Sequence, residues 1–397
     1  MISKQLLKLL FEAASIQRWN DHIRPEHFTE LDKQAHKMVY AYVLGKMEET
    51  DRGVTINWRS LIEGALFEFF HRIVLTDIKP PIFHKLMAEK GEQLNRWVLY
   101  KISDHIAPLR GNFLQRMVNY YRSADHYLLE RKILRAAHYL ATDWEFKIIY
   151  HLNAGLYGLE ETKEAIKNQL EEHYDLAGVQ KITLQKKTSH FLDLVGQLRF
   201  QQRWAQSPRL PRTSVMGHML IVAILAYLCS LELDACVLRS YNNFFAGLFH
   251  DLPEVITRDI VSPVKQSVAG LEELITEIEL WQMEARIYPL LPPSWHREIK
   301  YFTENVFESK IVKDGEVCIK DSAGINENYN QDSYSPLDGE IIRACDHLAA
   351  YMETYLSITH GVKSPHLYEA NRELFMRYRE KEIAGIDFGR MFAEFKI

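Results

Sequence analysis

Glycine and proline are scarce in this sequence, 18 and 13 residues in 397, which excludes collagen-like, linker-dominated and largely disordered architectures. Cysteine is scarcer still. Cys229, Cys236, Cys318 and Cys345 are the whole set, none in a CxxC spacing, so neither a disulfide framework nor a paired-thiolate structural zinc site is expected. There is no excess of basic charge: 48 Lys and Arg against 53 Asp and Glu leave a formal charge of −5, which argues against nucleic acid as a partner. Small anions remain accessible, since a bound metal supplies positive charge locally. The most apolar run, Met219 to Cys229, falls well short of the roughly 20 residues that span a bilayer; it predicts a helix buried in protein and no membrane partner. Charges interrupt the first residues too early for a secretory signal, and with the unpaired cysteines this predicts a cytoplasmic protein.

Alternating β-branched runs and Asn-Gly turns are also missing, so no sheet announces itself. Apolar residues instead recur three and four apart, as in Leu6, Leu9, Leu10, Ala13 and Ala14, or Phe191, Leu194, Val195 and Leu198. That is the helical period, and the fold class it predicts is all-α. A chain of 397 residues exceeds the usual size of one core, so two domains of roughly 150–200 residues are expected.

The two domains read as copies of one unit, because a series of motifs runs through the sequence twice. Ile16-Gln17-Arg18-Trp19 echoes Gln201-Gln202-Arg203-Trp204, and each is followed by a histidine in an apolar helix, His36 and His218. Leu66-Phe67-Glu68-Phe69 then faces Leu248-Phe249-His250-Asp251, and Asp77-Ile78-Lys79-Pro80-Pro81 faces Asp259-Ile260-Val261-Ser262-Pro263. Further on, Arg135 to Ala141 faces Arg343 to Ala349, which aligns His138 with Asp346. The expected division is residues 1–175 and 176–397, with the glycine-containing stretch from Asn153 to Lys187 as the connection. A polar stretch from Ser322 to Gly339 predicts a surface loop, with a lid as one use for it.

Chemistry concentrates in the later copy. His218, the adjacent pair His250 and Asp251, and Asp346 fall on what should be three helices. Imidazoles combined with carboxylates suit a divalent ion such as Mn, Co, Zn, Fe or Mg, and four protein ligands leave positions for water and a substrate oxygen. Glu254 follows His250 by one helical turn and, on a continuous helix, would share its face, where a carboxylate can orient or deprotonate water. Taken singly, His36 is a hydrogen-bonded core histidine, Asp259 serves equally well as a helix cap, and Lys265 is a solvated charge.

A His, a His-Asp pair and a distant Asp together resemble the HD-domain phosphohydrolases. Arg203-Trp204, the His fifteen residues after that Arg, and the string from His250 to Lys265 with its Asp-x-x-x-Pro-Val-Lys ending are similar to the bacterial 5′-deoxynucleotidase branch. The resemblance implies two tandem HD-type helical domains, the first degenerate. For the second it implies a phosphomonoester hydrolase that removes phosphate from (deoxy)nucleoside 5′-monophosphates by attack of metal-activated water. His218, His250, Asp251 and Asp346 would hold the metal, and Glu254 would assist the water. Arg203 would clamp the phosphate, Trp204 would help select the sugar, Asp259 would contact the deoxyribose or transfer a proton, and Lys265 joins the substrate-binding set. Gly217 departs from the Glu that the family usually carries before its first His. In the earlier copy His36 retains the first ligand, but Phe69 and His138 stand where the later copy has Asp251 and Asp346, so no metal is expected there. Related single-domain enzymes are dimers, which implies an intramolecular pseudo-dimer here, with a homo-oligomer as a further option. The alternative from another class is a nucleotide-binding regulator or scaffold with a vestigial metal site.

Overall fold

The computed structural model describes residues 2–123, 127–258, 260 and 268–397. The chain is all-α. Strand among the described residues is confined to three two-stranded antiparallel pairs, in line with the three- and four-residue spacing of its apolar side chains. Two compact units divide it: residues 8–108 with 112–193 form the amino-terminal unit, and residues 1–7, 109–111 and 194–397 the carboxy-terminal unit.

The amino-terminal unit is built on α1 (Glu30–Arg52), α2 (Trp58–Leu75), α3 (Pro80–Ile106), α4 (Phe113–Arg122) and α5 (Leu128–Leu152). α1 starts where the Thr29 hydroxyl accepts the Asp32 amide hydrogen and stops at Gly53, whose φ of 65° a residue with a Cβ adopts only under strain. Most of α1 is buried, and its main partner is α5. The stretch from Asn153 to Lys187 is more than a connection. It carries α6 (Leu159–Glu171) and α7 (Ala177–Thr183), which pack on α5 and α1. Its charged residues occupy the outer faces of amphipathic helices, while Leu159, Ile166, Leu170, Val179 and Ile182 are buried.

The carboxy-terminal unit is organised around α8 (Val215–Glu232), α9 (Val237–Phe249), α10 (Glu254–Thr257), α11 (Ser322–Asn328) and α12 (Gly339–Thr359). α8 has the length and composition of a membrane span, yet 94% of that window is buried inside the protein. It is the central helix of the core, covered by α9 and α12. A Cβ on Gly247 of α9 would stand 2.8 Å from the Ala223 Cα of α8, so glycine is what allows the two helices to meet. The polar stretch from Ser322 to Gly339 is pinned down and is not a loose loop. Asn330 and Asp332 accept the amide hydrogens of Cys236 and Leu238 at the start of α9, and fully buried Arg239 donates to both oxygens of Asp338 at 2.7 and 2.9 Å. The Asn and Asp residues that suggest a loop in the sequence act here as caps for a neighbouring helix.

Candidate metal centre

His218 owes its position to a cap. Ser214 accepts the Gly217 amide hydrogen at 2.9 Å and starts α8, so the first turn of the helix delivers the imidazole of His218 inward, 1% exposed. α9 ends at Phe249, and its carbonyl at Gly247 accepts a hydrogen bond from His250 Nδ1 at 2.8 Å. That bond sets the tautomer and leaves a lone pair on Nε2. Asp346 lies in the second turn of α12.

The three helices bring these groups together. Ligand atoms of His218, His250 and Asp346 all lie within 4.8 Å of one another, close to the roughly 4.4 Å that separates opposite ligands about 2.2 Å from a shared ion. His218 Nε2 is 2.9 Å from Asp346 Oδ1, and the two imidazole centroids are 5.5 Å apart. His250 Nε2 is buried, has no hydrogen-bond partner among the described residues, and stands 3.2 Å from Asp251 Oδ2. A buried nitrogen lone pair beside two carboxylates is an arrangement that a divalent cation satisfies, so these residues fit the ion their types suggest.

The charge balance agrees. Burial alone would raise the carboxyl pKa of Asp346, but His218, His250 and Arg203 hold it far below the usual range. Asp251 is lowered by His250, Arg203 and His218 against the same burial. Burial opposes protonation of His218, and Arg203 adds to that, but the carboxylates of Asp346 and Glu353 outweigh both and raise its pKa. Two ionised carboxylates therefore face the point where the imidazoles converge.

Glu353 is the residue that the sequence pattern did not single out. It is buried on α12, two turns after Asp346, and organises the wall behind the four candidate ligands. Its carboxylate accepts from Trp204 Nε1 at 2.9 Å and from the Thr213 hydroxyl at 2.6 Å, and it lies 3.5 Å from both His218 Nδ1 and Arg203 Nε. Burial raises its pKa, but Arg209, His218 and Arg203 bring it well below the ordinary range. A carboxylate behind a histidine ligand orients the ring and increases its basicity. The signal was present: a Glu seven residues after Asp346 lies on the same helical face, and Glu145 stands seven residues after His138.

Arg203 reaches the centre, with Nη1 3.4 Å from Asp251 Oδ2. Trp204 has a left-handed backbone, φ 58°, and its indole nitrogen is taken up by Glu353. Glu254 is buried, but not on a continuation of α9: residues 251–253 form a turn and Glu254 opens the separate helix α10. Asp259 and Lys265 lie outside the described residues.

Residues 195–375 match the family model of the HD domain. This segment is an HD domain. Among curated relatives it is similar to a 5′-deoxynucleotidase of Vibrio atlanticus, 26% identical over an alignment of 159 residues that covers 36% of this chain and 81% of the relative. A 5′-deoxynucleotidase of Pasteurella multocida is 27% identical over 37% of the chain and 79% of the relative. The 4′-phosphooxetanocin A phosphatase of Priestia megaterium is 33% identical over a shorter stretch, 20% of the chain and 42% of that protein. No solved structure matches the chain.

Contacts inside the amino-terminal unit follow those of the HD domain closely. Gln17 pairs with Thr29 as Gln202 pairs with Ser214, Trp19 shares the left-handed backbone of Trp204, and Trp19 Nε1 donates to Glu145 at 2.8 Å as Trp204 does to Glu353. Thr76, φ 58°, closes α2 eight residues after Glu68, as Arg258, φ 65°, closes α10 eight residues after His250. These landmarks correct the expected partner of His218. Counted from the helix caps Thr29 and Ser214, the residue at the His218 position is Lys33, whose Nζ contacts His138 as His218 contacts Asp346. His36 lies one turn further on, donates Nε2 to the Leu192 carbonyl at 3.0 Å and packs edge-on to Trp144. Counted from these caps, His36 and His218 differ in position by three residues.

Proposed function

We propose that the HD domain hydrolyses the phosphomonoester of (deoxy)nucleoside 5′-monophosphates, using a divalent ion held by His218, His250, Asp251 and Asp346. The convergence of both imidazoles with Asp346 around a buried His250 nitrogen carries this reading, and the deoxynucleotidase and phosphatase relatives supply the substrate class. A divalent ion there contributes positive charge that neutralises phosphoryl oxygens and acidifies water.

The chain's own residues divide the remaining work. Arg203 lies between Asp251 and Glu353 at 3.4 and 3.5 Å and is positioned to trade one carboxylate for a phosphate oxygen. Glu254, carried on its own short helix, is the carboxylate for holding the attacking water or taking its proton. Glu353 places negative charge 3.5 Å from His218 Nδ1 and accepts a hydrogen bond from Trp204, which restrains the indole that would border the sugar. In the resemblance to the deoxynucleotidases, Asp259 and Lys265 complete the substrate contacts.

Incubation of the full chain with Mn or Co and a panel of nucleoside 5′-monophosphates tests this. Phosphate release is expected, faster from deoxynucleotides, and lost in the Asp251→Asn variant. Absence of release from every monophosphate with every metal overturns it.

A further inference from the structure

The amino-terminal unit contains a large cavity of about 1030 Å³, lined wholly by its own residues, at the upper end of the roughly 300–1,000 Å³ of small-molecule sites. Its chemistry is unlike the rest of an acidic chain. Lys37, Arg72, Arg131, Lys132 and Arg135 line it against only two carboxylates, Glu68 and Glu172, so its wall is cationic although the chain carries a net −5. Glu68 is paired with Lys37 and accepts from the Tyr120 hydroxyl at 2.8 Å, and Lys132 is paired with Asp175, so the excess positive charge of the wall sits on Arg72, Arg131 and Arg135.

Flat rings form the other part of the wall. Arg72 lies over the Phe83 ring at 4.7 Å, Arg131 over Tyr120 at 3.6 Å, and Tyr139 is stacked near His173 with ring centroids 6.2 Å apart. His173 Nδ1 is buried without a hydrogen-bond partner among the described residues, although the residue lines the cavity. Cations beside stacked rings, with an unsatisfied ring nitrogen, match a phosphorylated ligand with a planar heterocycle.

Lys37, Glu68 and His138 line the cavity, and behind them lies the place that matches the candidate metal centre of the HD domain. Lys33 is fully buried against His138, one turn before Lys37 on α1, and Phe69 is buried in the place of the aspartate of the His-Asp pair. Burial pushes the Lys33 amine well below its ordinary pKa, so the fixed positive charge here is that of Lys37, paired with Glu68, where the HD domain has side chains suited to hold a mobile ion. An ammonium attracts phosphate but does not acidify a coordinated water, so charge recognition is retained without the means of hydrolysis.

We propose that the amino-terminal cavity is a metal-independent binding site for a nucleoside phosphate, which it holds without cleaving. The phosphate part of this assignment stands on the cavity alone. The nucleoside part is supported by the stacked rings and rests also on the proposed substrate of the HD domain.

Calorimetric titration of the full chain tests it, with the metal left in place and again in excess EDTA, using ATP, GTP, dAMP, ribose 5-phosphate and inorganic phosphate as probes. A nucleotide should bind in EDTA without turnover and more tightly than ribose 5-phosphate or inorganic phosphate. The exposed Arg135→Glu variant should weaken that binding on the order of tenfold or more, whereas Asp251→Asn in the HD domain should leave it unchanged. Hydrogen exchange should show added protection in α2, α4 and α5, a readout independent of whether any variant folds less well. Binding that vanishes with EDTA, that Asp251→Asn removes and Arg135→Glu spares, or that ribose 5-phosphate matches, overturns the proposal; so does no binding by any probe. Failure of the hydrolase reading alone would look different, with nucleotide bound in EDTA but no phosphate released in Mn or Co.

Discussion

The two units share a set of cap, arginine and indole contacts around different polar interiors. In the HD domain, Asp251 and Asp346 face His218 and His250, and the centre has carboxylates to spare for a cation. In the amino-terminal unit, Lys33 and Lys37 occupy the interior, Phe69 removes one carboxylate position and His138 the other. The wall behind them is conserved in geometry: Arg18 donates to Glu145 at 2.9–3.0 Å, and Trp19 to the same carboxylate, where Arg203 and Trp204 meet Glu353. The difference teaches that the Arg, Trp and Glu triangle is scaffold in its own right, since it is present where the candidate ligands are not.

The hardest test of that contrast removes a ligand. His250→Ala should lower phosphate release on the order of a thousandfold, about 4 kcal/mol of barrier, and metal analysis should fall from one ion per chain to none. One ion retained per chain would mean that the metal sits elsewhere and the contrast between the units is misplaced.

Next in size is the shared carboxylate, which should have different uses in the two units. Glu145→Gln strands Arg18, whose guanidinium is buried and also 3.0 Å from Glu30, and loss of one partner from a buried pair costs about 3–5 kcal/mol. Denaturant unfolding of the amino-terminal unit should register it with little change in kcat. Glu353→Gln removes the charge behind His218, and kcat should drop about 10–100-fold with metal affinity. Equal stability losses and no kinetic loss from both would reduce Glu353 to scaffold alone.

How much of this was legible in the sequence follows from the kind of information each feature uses. Helices are legible because apolar spacing is local, and the candidate set of His218, His250, Asp251 and Asp346, three of which the structure brings within 4.8 Å of one another, because four residue types stand in the family's order. Glu353 escaped notice because a lone Glu in an amphipathic helix is ordinarily a solvated charge; only the fold shows it buried against two arginines. Lys33 was hidden more thoroughly. A lysine four residues after a cap reads as surface, and nearby His36 offered a better-looking match, so the alignment slipped by almost one helical turn. The polar run before Gly339 misled in the opposite direction, since Asn and Asp that cap a neighbour look the same as Asn and Asp in water.

Helix spacing provides a milder test on the HD side. Gly247 lets α9 approach α8 and also supplies the carbonyl that fixes His250. Gly247→Ala should destabilise the unit by about 1–3 kcal/mol through overpacking and reduce metal occupancy, because the added methyl pushes His250 away from His218. Unchanged occupancy would show that the imidazole is placed by Asp251 rather than by the α9 backbone.

The smallest expected effect concerns the amino-terminal cavity. Burial, reinforced by Arg72, holds His71 at about 4 even though Asn95 accepts from its Nε2 at 3.1 Å. A histidine whose folded pKa lies below its unfolded value of about 6.5 is protonated first in the unfolded chain, so stability falls as pH drops through 6.5 toward 4. Between pH 8 and pH 6 the wild-type unit should lose roughly 1 kcal/mol from this group, and His71→Gln, which keeps an amide for Asn95, should lose less. A bound anion beside Arg72 would offset that cation and make protonation of His71 easier, so the pH sensitivity should shrink when ATP is present. If ATP leaves the slope of stability against pH unaltered, the cationic wall and the histidine beside it are not sharing one ligand.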